Sequence, residues 1–139
     1  SLMIDEKHRY RFEESGVVQV YGDSDMLKQS ARILIDNAAK YTKQGEEILI
    51  RVGAWRDGAP FYGIQDNGIG MSQEDVAHAF DRFYRADSVR NSKTGGTGLG
   101  LSIAKWIVDK HQGYYDIVSR EGLGTQFSVV FPNANGLHP

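Results

Sequence analysis

Ile48-Leu49-Ile50-Arg51-Val52-Gly53-Ala54, followed by the turn Arg56-Asp57-Gly58 and by residues 61–65, is the stretch on which the fold turns. Ile48, Ile50, Val52 and Ala54 alternate, so they form one face of a strand, and the glycine-bearing turn closes a β-hairpin into the next strand. An apolar sheet face needs a cover, and the segment upstream supplies one. Asp23 is placed as an N-cap for a long helix running to about Thr42. Leu27, Ala31, Leu34, Ala38 and Tyr41 fall on one face of that helix, and Gly45 stops it.

Further out, residues 7–14 and 17–21 read as two short strands around the turn Ser15-Gly16. Ser72 with Asp75 has capping-box spacing and opens a short helix to about Phe80. Residues 84–97 hold few aliphatic side chains and end in glycines, which predicts a mobile loop. Residues 99–112 form a second long helix capped by Gly113. Residues 114–120 and 125–131 make a last hairpin around Gly122-Leu123-Gly124. The order ββαββααββ predicts an α/β fold: a two-layer sandwich with helices on one face of a mixed, mainly antiparallel sheet. Residues 1–139 read as a single domain, with Ser1-Leu2 in the position of a cloning remnant.

Bulk properties narrow the function. The chain has 139 residues, 40% hydrophobic and 24% charged, enough for a real core. A net charge of -2 offers no general attraction for nucleic acid or an acidic membrane. No apolar run approaches the roughly 20 residues that span a bilayer, and no signal peptide opens the chain, so a cytoplasmic domain is expected. The absence of cysteine rules out a disulfide framework and thiolate metal sites. Half of the 16 glycines fall at residues 68–70, 95–100 and 122–124 and so mark particular loops.

Three of the chemistry-bearing segments are loops or helix faces. On the first long helix, Asn37, Lys40 and Tyr41 are spaced i, i+3, i+4 and share a face. An amide oxygen, an ammonium and an aromatic ring suit a metal, a phosphate and a base, although a solvated polar face has the same composition. Asp66-Asn67-Gly68-Ile69-Gly70-Met71 follows a strand directly. A buried carboxylate there accepts hydrogen bonds only, which suits an exocyclic amine such as that of adenine, and the glycines permit close backbone approach. The bland alternative is an Asp-Asn-Gly turn. Gly95-Gly96-Thr97-Gly98-Leu99-Gly100-Leu101 runs into a helix, whose first N–H groups and positive dipole end suit phosphate; a flexible hinge is the alternative. The glycine spacing fits neither a P-loop nor the dinucleotide fingerprint. Between these lies Phe80-Asp81-Arg82-Phe83-Tyr84-Arg85-Ala86-Asp87, two aromatic anchors with Arg85 left to reach outward.

In this order and spacing the four segments resemble the N box, first glycine box, F box and second glycine box of the ATP-binding catalytic domain of sensor histidine kinases. That family belongs to the GHKL superfamily, with its Bergerat fold, alongside the gyrase, Hsp-type chaperone and mismatch-repair ATPases. The resemblance runs from about Val20 to Pro132. It implies that Asn37 ligates magnesium, Lys40 contacts phosphate and Tyr41 stacks on adenine. Asp66 receives the adenine amine, with Gly68, Gly70 and Met71 alongside. Arg85 reaches the γ-phosphate, while Gly96, Gly98, Leu99, Gly100 and Leu101 hold the phosphates. Thr125 joins the adenine–aspartate water network. The segment from Phe80 to Gly98 is the implied lid over ATP.

The implied activity is transfer of the γ-phosphoryl group of Mg-ATP to a histidine on a separate dimerisation domain, and from there indirectly to a response regulator. Lys40 and Arg85 would be the catalytic cations. No nucleic acid is expected, the isolated domain is expected to be monomeric, and the full-length protein is expected to be membrane-anchored. His8, His78, His111 and His138 lack the sequence context of a phosphoacceptor and read as surface residues, and Ile103 and Trp106 as packing residues. One position departs from the family pattern. Ile33 stands where these kinases usually carry Asn and the hydrolytic relatives carry Glu. The alternatives are therefore a hydrolytic ATPase, which Ile33 opposes, and a nucleotide-holding module without phosphotransfer, which it favours.

Overall fold

The computed structural model describes residues 8–16, 19–55, 57–81 and 100–133. Their elements run β1 (Arg9–Ser15), α1 (Ser24–Tyr41), β2 (Glu47–Ala54), β3 (Pro60–Asp66), α2 (Gln73–His78), α3 (Gly100–Lys110), β4 (Tyr114–Arg120) and β5 (Gly124–Val130). The strands form one sheet in the order β1-β2-β3-β5-β4. Only β1 and β2 run parallel; the other neighbours are antiparallel. No described helix is long and apolar enough to cross a membrane.

Among the described residues, the N-terminal hairpin expected from residues 7–14 and 17–21 is not formed. Of its second half, the described residues 19–21 are irregular. Instead Tyr10 and Phe12 of β1 lie beside Ile48 and Ile50 of β2. That pairing extends the apolar face of the main sheet, which an isolated two-stranded ribbon could not do. Adjacent parallel strands need a crossover, and α1 is that crossover.

α1 starts where its cap predicts. The Asp23 carboxylate accepts from the Asp25 and Met26 N–H groups at 2.9 and 3.1 Å. Leu34, Ile35 and Ala38 of α1, with Ala104 and Val108 of α3, close over Ile48, Ile50, Tyr62, Ile64, Phe127 and Val129 of the sheet. The helical cover does not reach the end of β2, so Val52, expected on the buried face, is exposed. One polar pair sits inside the core: the Tyr62 hydroxyl donates to Ser30 Oγ at 2.8 Å, and burial pushes the phenol up to about 12.

Two expectations about α3 are revised. Its buried stripe is Ala104, Ile107 and Val108. Ile103 and Trp106 fall on the other side of a 3.6-residue repeat and stay exposed, with the Lys110 ammonium 5.1 Å from the Trp106 ring centroid. The C-terminal cap is also shifted by one residue. Gln112, not Gly113, takes the left-handed conformation, at φ 61°. Gln112 N–H donates to Asp109 O and Gly113 N–H to Val108 O, a Schellman closure. Gly113 is required for closeness, because a Cβ there would lie 2.9 Å from Val130 O.

Two of the histidines expected at the surface are half-buried fasteners. His8 Nε2 bonds Thr42 O at 2.8 Å. His111 Nε2 accepts from Asp23 N–H at 3.1 Å while its Nδ1–H donates to Ile107 O at 2.8 Å, tying the end of α3 to the start of α1. His78 is exposed and bonds Asp81, and His138 lies outside the described residues.

Candidate functional site

Asp66 is the last residue of β3 and is 7% exposed. Strand pairing brings it directly opposite Thr125, the second residue of β5, which is 8% exposed. Asp66 Oδ1 accepts from Gly68 N–H at 2.8 Å, and the Thr125 N–H also donates to the carboxylate. Burial raises the pKa of Asp66 above its ordinary 3.8, and these two backbone bonds oppose the shift without cancelling it. A carboxylate held mostly inside protein, with lone pairs to spare, is an acceptor in search of a donor.

The glycines around Asp66 are demanded first by protein, not by ligand. A Cβ on Gly68 would sit 2.2 Å from Tyr41 O, and one on Gly70 would sit 2.0 Å from Arg120 O. Gly124 would collide with Asp66 O at 2.0 Å. Gly70 and Gly124 also have φ of 71° and 125°, which side chains resist. Ile69 N–H donates to Tyr41 O, and Gly122 N–H donates to Ile69 O. The loop 67–71 is thus clamped between the end of α1 and the β4–β5 turn.

Ser119 of β4 completes the clamp. Its hydroxyl accepts from Met71 N–H at 2.8 Å, donates to Gly124 O at 3.0 Å and lies 2.7 Å from Thr125 Oγ1. Sequence reasoning did not single it out. The signal was present, however: a hairpin turning at Gly122 pairs position 119 with position 125 by counting alone.

The expected sites on α1 occupy its last two turns. Asn37 and Tyr41 are half-buried and Lys40 is exposed. Tyr41 meets the glycine loop through its backbone, as described. One turn earlier, half-buried Ile33 packs on the core, and its Cγ2 lies 3.6 Å from where a Cβ on Gly100 would be. Gly100, the first residue of α3, is exposed, and Leu101 packs on the core. The structure therefore brings Asp66, Gly68, Gly70, Met71 and Thr125 together with the end of α1, and sets the start of α3 beside Ile33. Arg85, Gly96, Gly98 and Leu99, with the lid segment beyond Asp81, lie outside the described residues.

An α/β sheet that buries a lone aspartate at a strand end, between a helix terminus and a glycine loop, has the makings of a nucleotide site. The sequence profile of the histidine kinase-, DNA gyrase B-, and HSP90-like ATPases matches residues 22–135, and the chain belongs to that family. It is 46% identical over 117 residues to the sensor histidine kinase YkoH of Bacillus subtilis, covering 84% of this chain and 25% of that protein. It is 43% identical over 120 residues to the sensor protein CiaH of Streptococcus pneumoniae, covering 86% of this chain and 27% of that one. The chain thus spans about a quarter of the length of these relatives.

Among solved structures, the mycobacterial sensor histidine kinase MprB superposes with a TM-score of 0.81 at 30% identity, over 91% of this chain and 84% of that one. A nucleotide-free catalytic domain of the histidine kinase ThkA gives 0.75 at 27% identity, over 91% and 80%. These matches place the chain among histidine kinase catalytic domains.

Proposed function

We propose that this domain binds Mg-ATP and donates the γ-phosphoryl group to a histidine carried by a separate dimerisation domain, within a two-component signalling protein. The observation that carries the reading is the buried, acceptor-only Asp66 facing Thr125 across the β3–β5 pairing. Adenine presents an amine to such a group. Guanine presents a carbonyl at the same ring position and would leave a buried carboxylate unpaired, which costs about 1–3 kcal/mol or more.

Tyr41 is the residue proposed to stack on adenine, and Lys40, exposed one position earlier, the one to meet phosphate. The start of α3, at exposed Gly100 and core-packed Leu101, offers N–H groups to the same phosphates. Among the described residues no group of three His, Cys, Asp or Glu could hold a metal. That donor set fits magnesium only as a nucleotide-borne ion, with the Asn37 amide oxygen beside phosphate oxygens and water. When bound, the ion would neutralise charge on the phosphates. Arg85 is assigned the γ-phosphate on resemblance alone.

In the transfer itself, an imidazole nitrogen forms a bond to the γ-phosphorus as the bond to the bridging oxygen breaks, and ADP leaves. Positioning and charge neutralisation supply most of the rate. Hydrolysis is the weaker reading, because Ile33 puts hydrocarbon where water activation would need a carboxylate. Calorimetry tests the nucleotide assignment: ATP and ADP should bind with magnesium and GTP much more weakly. Equal affinity for GTP, or undiminished ATP binding by Asp66→Ala, would overturn it. Incubation with a separate histidine-bearing helical dimerisation domain and labelled ATP tests the transfer. Acid-labile label is expected on that domain, and label on the present chain alone would contradict the reading.

A further inference from the structure

The hydroxyl of Ser119 makes three contacts, and their chemistry leaves one way to arrange the protons. A hydroxyl has one proton to give and two lone pairs to receive. Gly124 O can only accept, so the Ser119 proton goes to it across 3.0 Å. Met71 N–H can only donate, and it takes one Ser119 lone pair at 2.8 Å. The contact at 2.7 Å to Thr125 Oγ1 must then run the other way, with Thr125 donating to Ser119. Every valence of the Ser119 hydroxyl is filled, and the Thr125 proton is turned away from Asp66. What Thr125 has left is acceptor capacity alone.

We propose that Ser119 sets the purine specificity of the site by fixing the polarity of the Thr125 hydroxyl, and is a positioning residue for nucleotide recognition. Asp66 and Thr125 then form an acceptor-only edge, which selects a base edge that donates, directly or through a water, and rejects one that presents a carbonyl. Without Ser119, the Thr125 hydroxyl rotates freely and can donate to that carbonyl. The inference rests on the reading of Asp66 as the adenine contact. Ser119 also anchors Met71, so loss of its hydroxyl loosens the glycine loop. Loosening weakens all nucleotides alike, whereas a change of polarity alters their ratio.

The test measures ADP and inosine diphosphate affinities by calorimetry on the intact chain. Ser119→Ala should lower the ratio of ADP to inosine diphosphate affinity by about fivefold or more, the worth of one neutral hydrogen bond. Ser119→Thr, which keeps a hydroxyl on a strand position, should restore it. Thr125→Val should lower the ratio too, and adding Ser119→Ala to it should lower the ratio no further, since both changes act through one hydroxyl. Ser119→Cys, close to serine in shape with a weak donor and acceptor, serves if the alanine variant folds poorly. An unchanged ratio in Ser119→Ala or Ser119→Cys, or additive effects in the double variant, overturns the proposal. Asp66→Asn separates the two levels. If that variant also leaves the ratio unchanged, the adenine assignment itself fails; if it collapses the ratio while the Ser119 variants do not, the Ser119 inference alone fails.

Discussion

At the scale of single residues, burial sets up an opposition between stability and recognition at Asp66. Its folded pKa lies above the ordinary 3.8, so folding penalises the charged form relative to the unfolded chain. The charged form is a burden that is absent below the unfolded value and fully present once pH has risen past the folded one. Asp66→Asn removes that burden and keeps an oxygen for the Gly68 N–H. Its melting temperature should exceed that of the parent by a margin that grows as pH rises from about 4, while ADP affinity falls about tenfold to a hundredfold. Thermal scans at several pH values check the margin, and calorimetry checks the affinity. Ile33 tells against a simple reading by alignment. Packed on the core and beside Gly100, it is a structural side chain, and Ile33→Asn should lower stability by about 1–3 kcal/mol in denaturant titration with ADP affinity little changed. Tighter nucleotide binding in that variant would mean that the position belongs to the metal site after all. Asp66 and Asn37 could be singled out in the sequence because they sit in local motifs. Ser119 was only half legible: the hairpin pairs it with Thr125, but its bond from Met71 N–H spans 48 residues.

At the scale of elements, the β2–β3 and β4–β5 hairpins and α1 were readable because turn chemistry and capping act over a few residues, as at Asp57, Asp23 and the Ser72–Asp75 box. The parallel placement of β1 was not readable, because strand alternation gives a face without naming a neighbour. Glycine-rich segments divide in the same way. Gly70 and Gly100 look alike in sequence, but one packs against backbone while the other has only ordinary contact with Ile33 Cγ2. Gly70→Ala must absorb a left-handed φ and a collision with Arg120 O, and should cost about 2 kcal/mol or more by denaturant titration. Gly100→Ala should leave the melting temperature unchanged or higher, since alanine favours helix. If its ATP affinity nevertheless falls, the start of α3 is needed bare for phosphate; unchanged affinity would remove Gly100 from the site.

For the whole molecule, the order β1-β2-β3-β5-β4 joins two locally closed hairpins, β2–β3 and β4–β5, along a single non-local pairing of β3 with β5. Asp66 and Thr125 lie on that seam, and Gly70 packs against Arg120 O of β4 beside it. Each hairpin closes through a short turn, but the seam must bring together residues from 59 positions apart at Asp66–Thr125 to 69 at Phe61–Val130, a long loop with a correspondingly late contact. The site around Asp66 is therefore expected to assemble late, after the rate-limiting step of folding. Adenine nucleotides should accordingly act as a brake on leaving the native state. In stopped-flow denaturant jumps, saturating ADP should slow the unfolding limb in proportion to the stability it confers and leave the refolding limb where it was. A faster refolding limb would mean that the seam, and the site with it, is already assembled in the transition state.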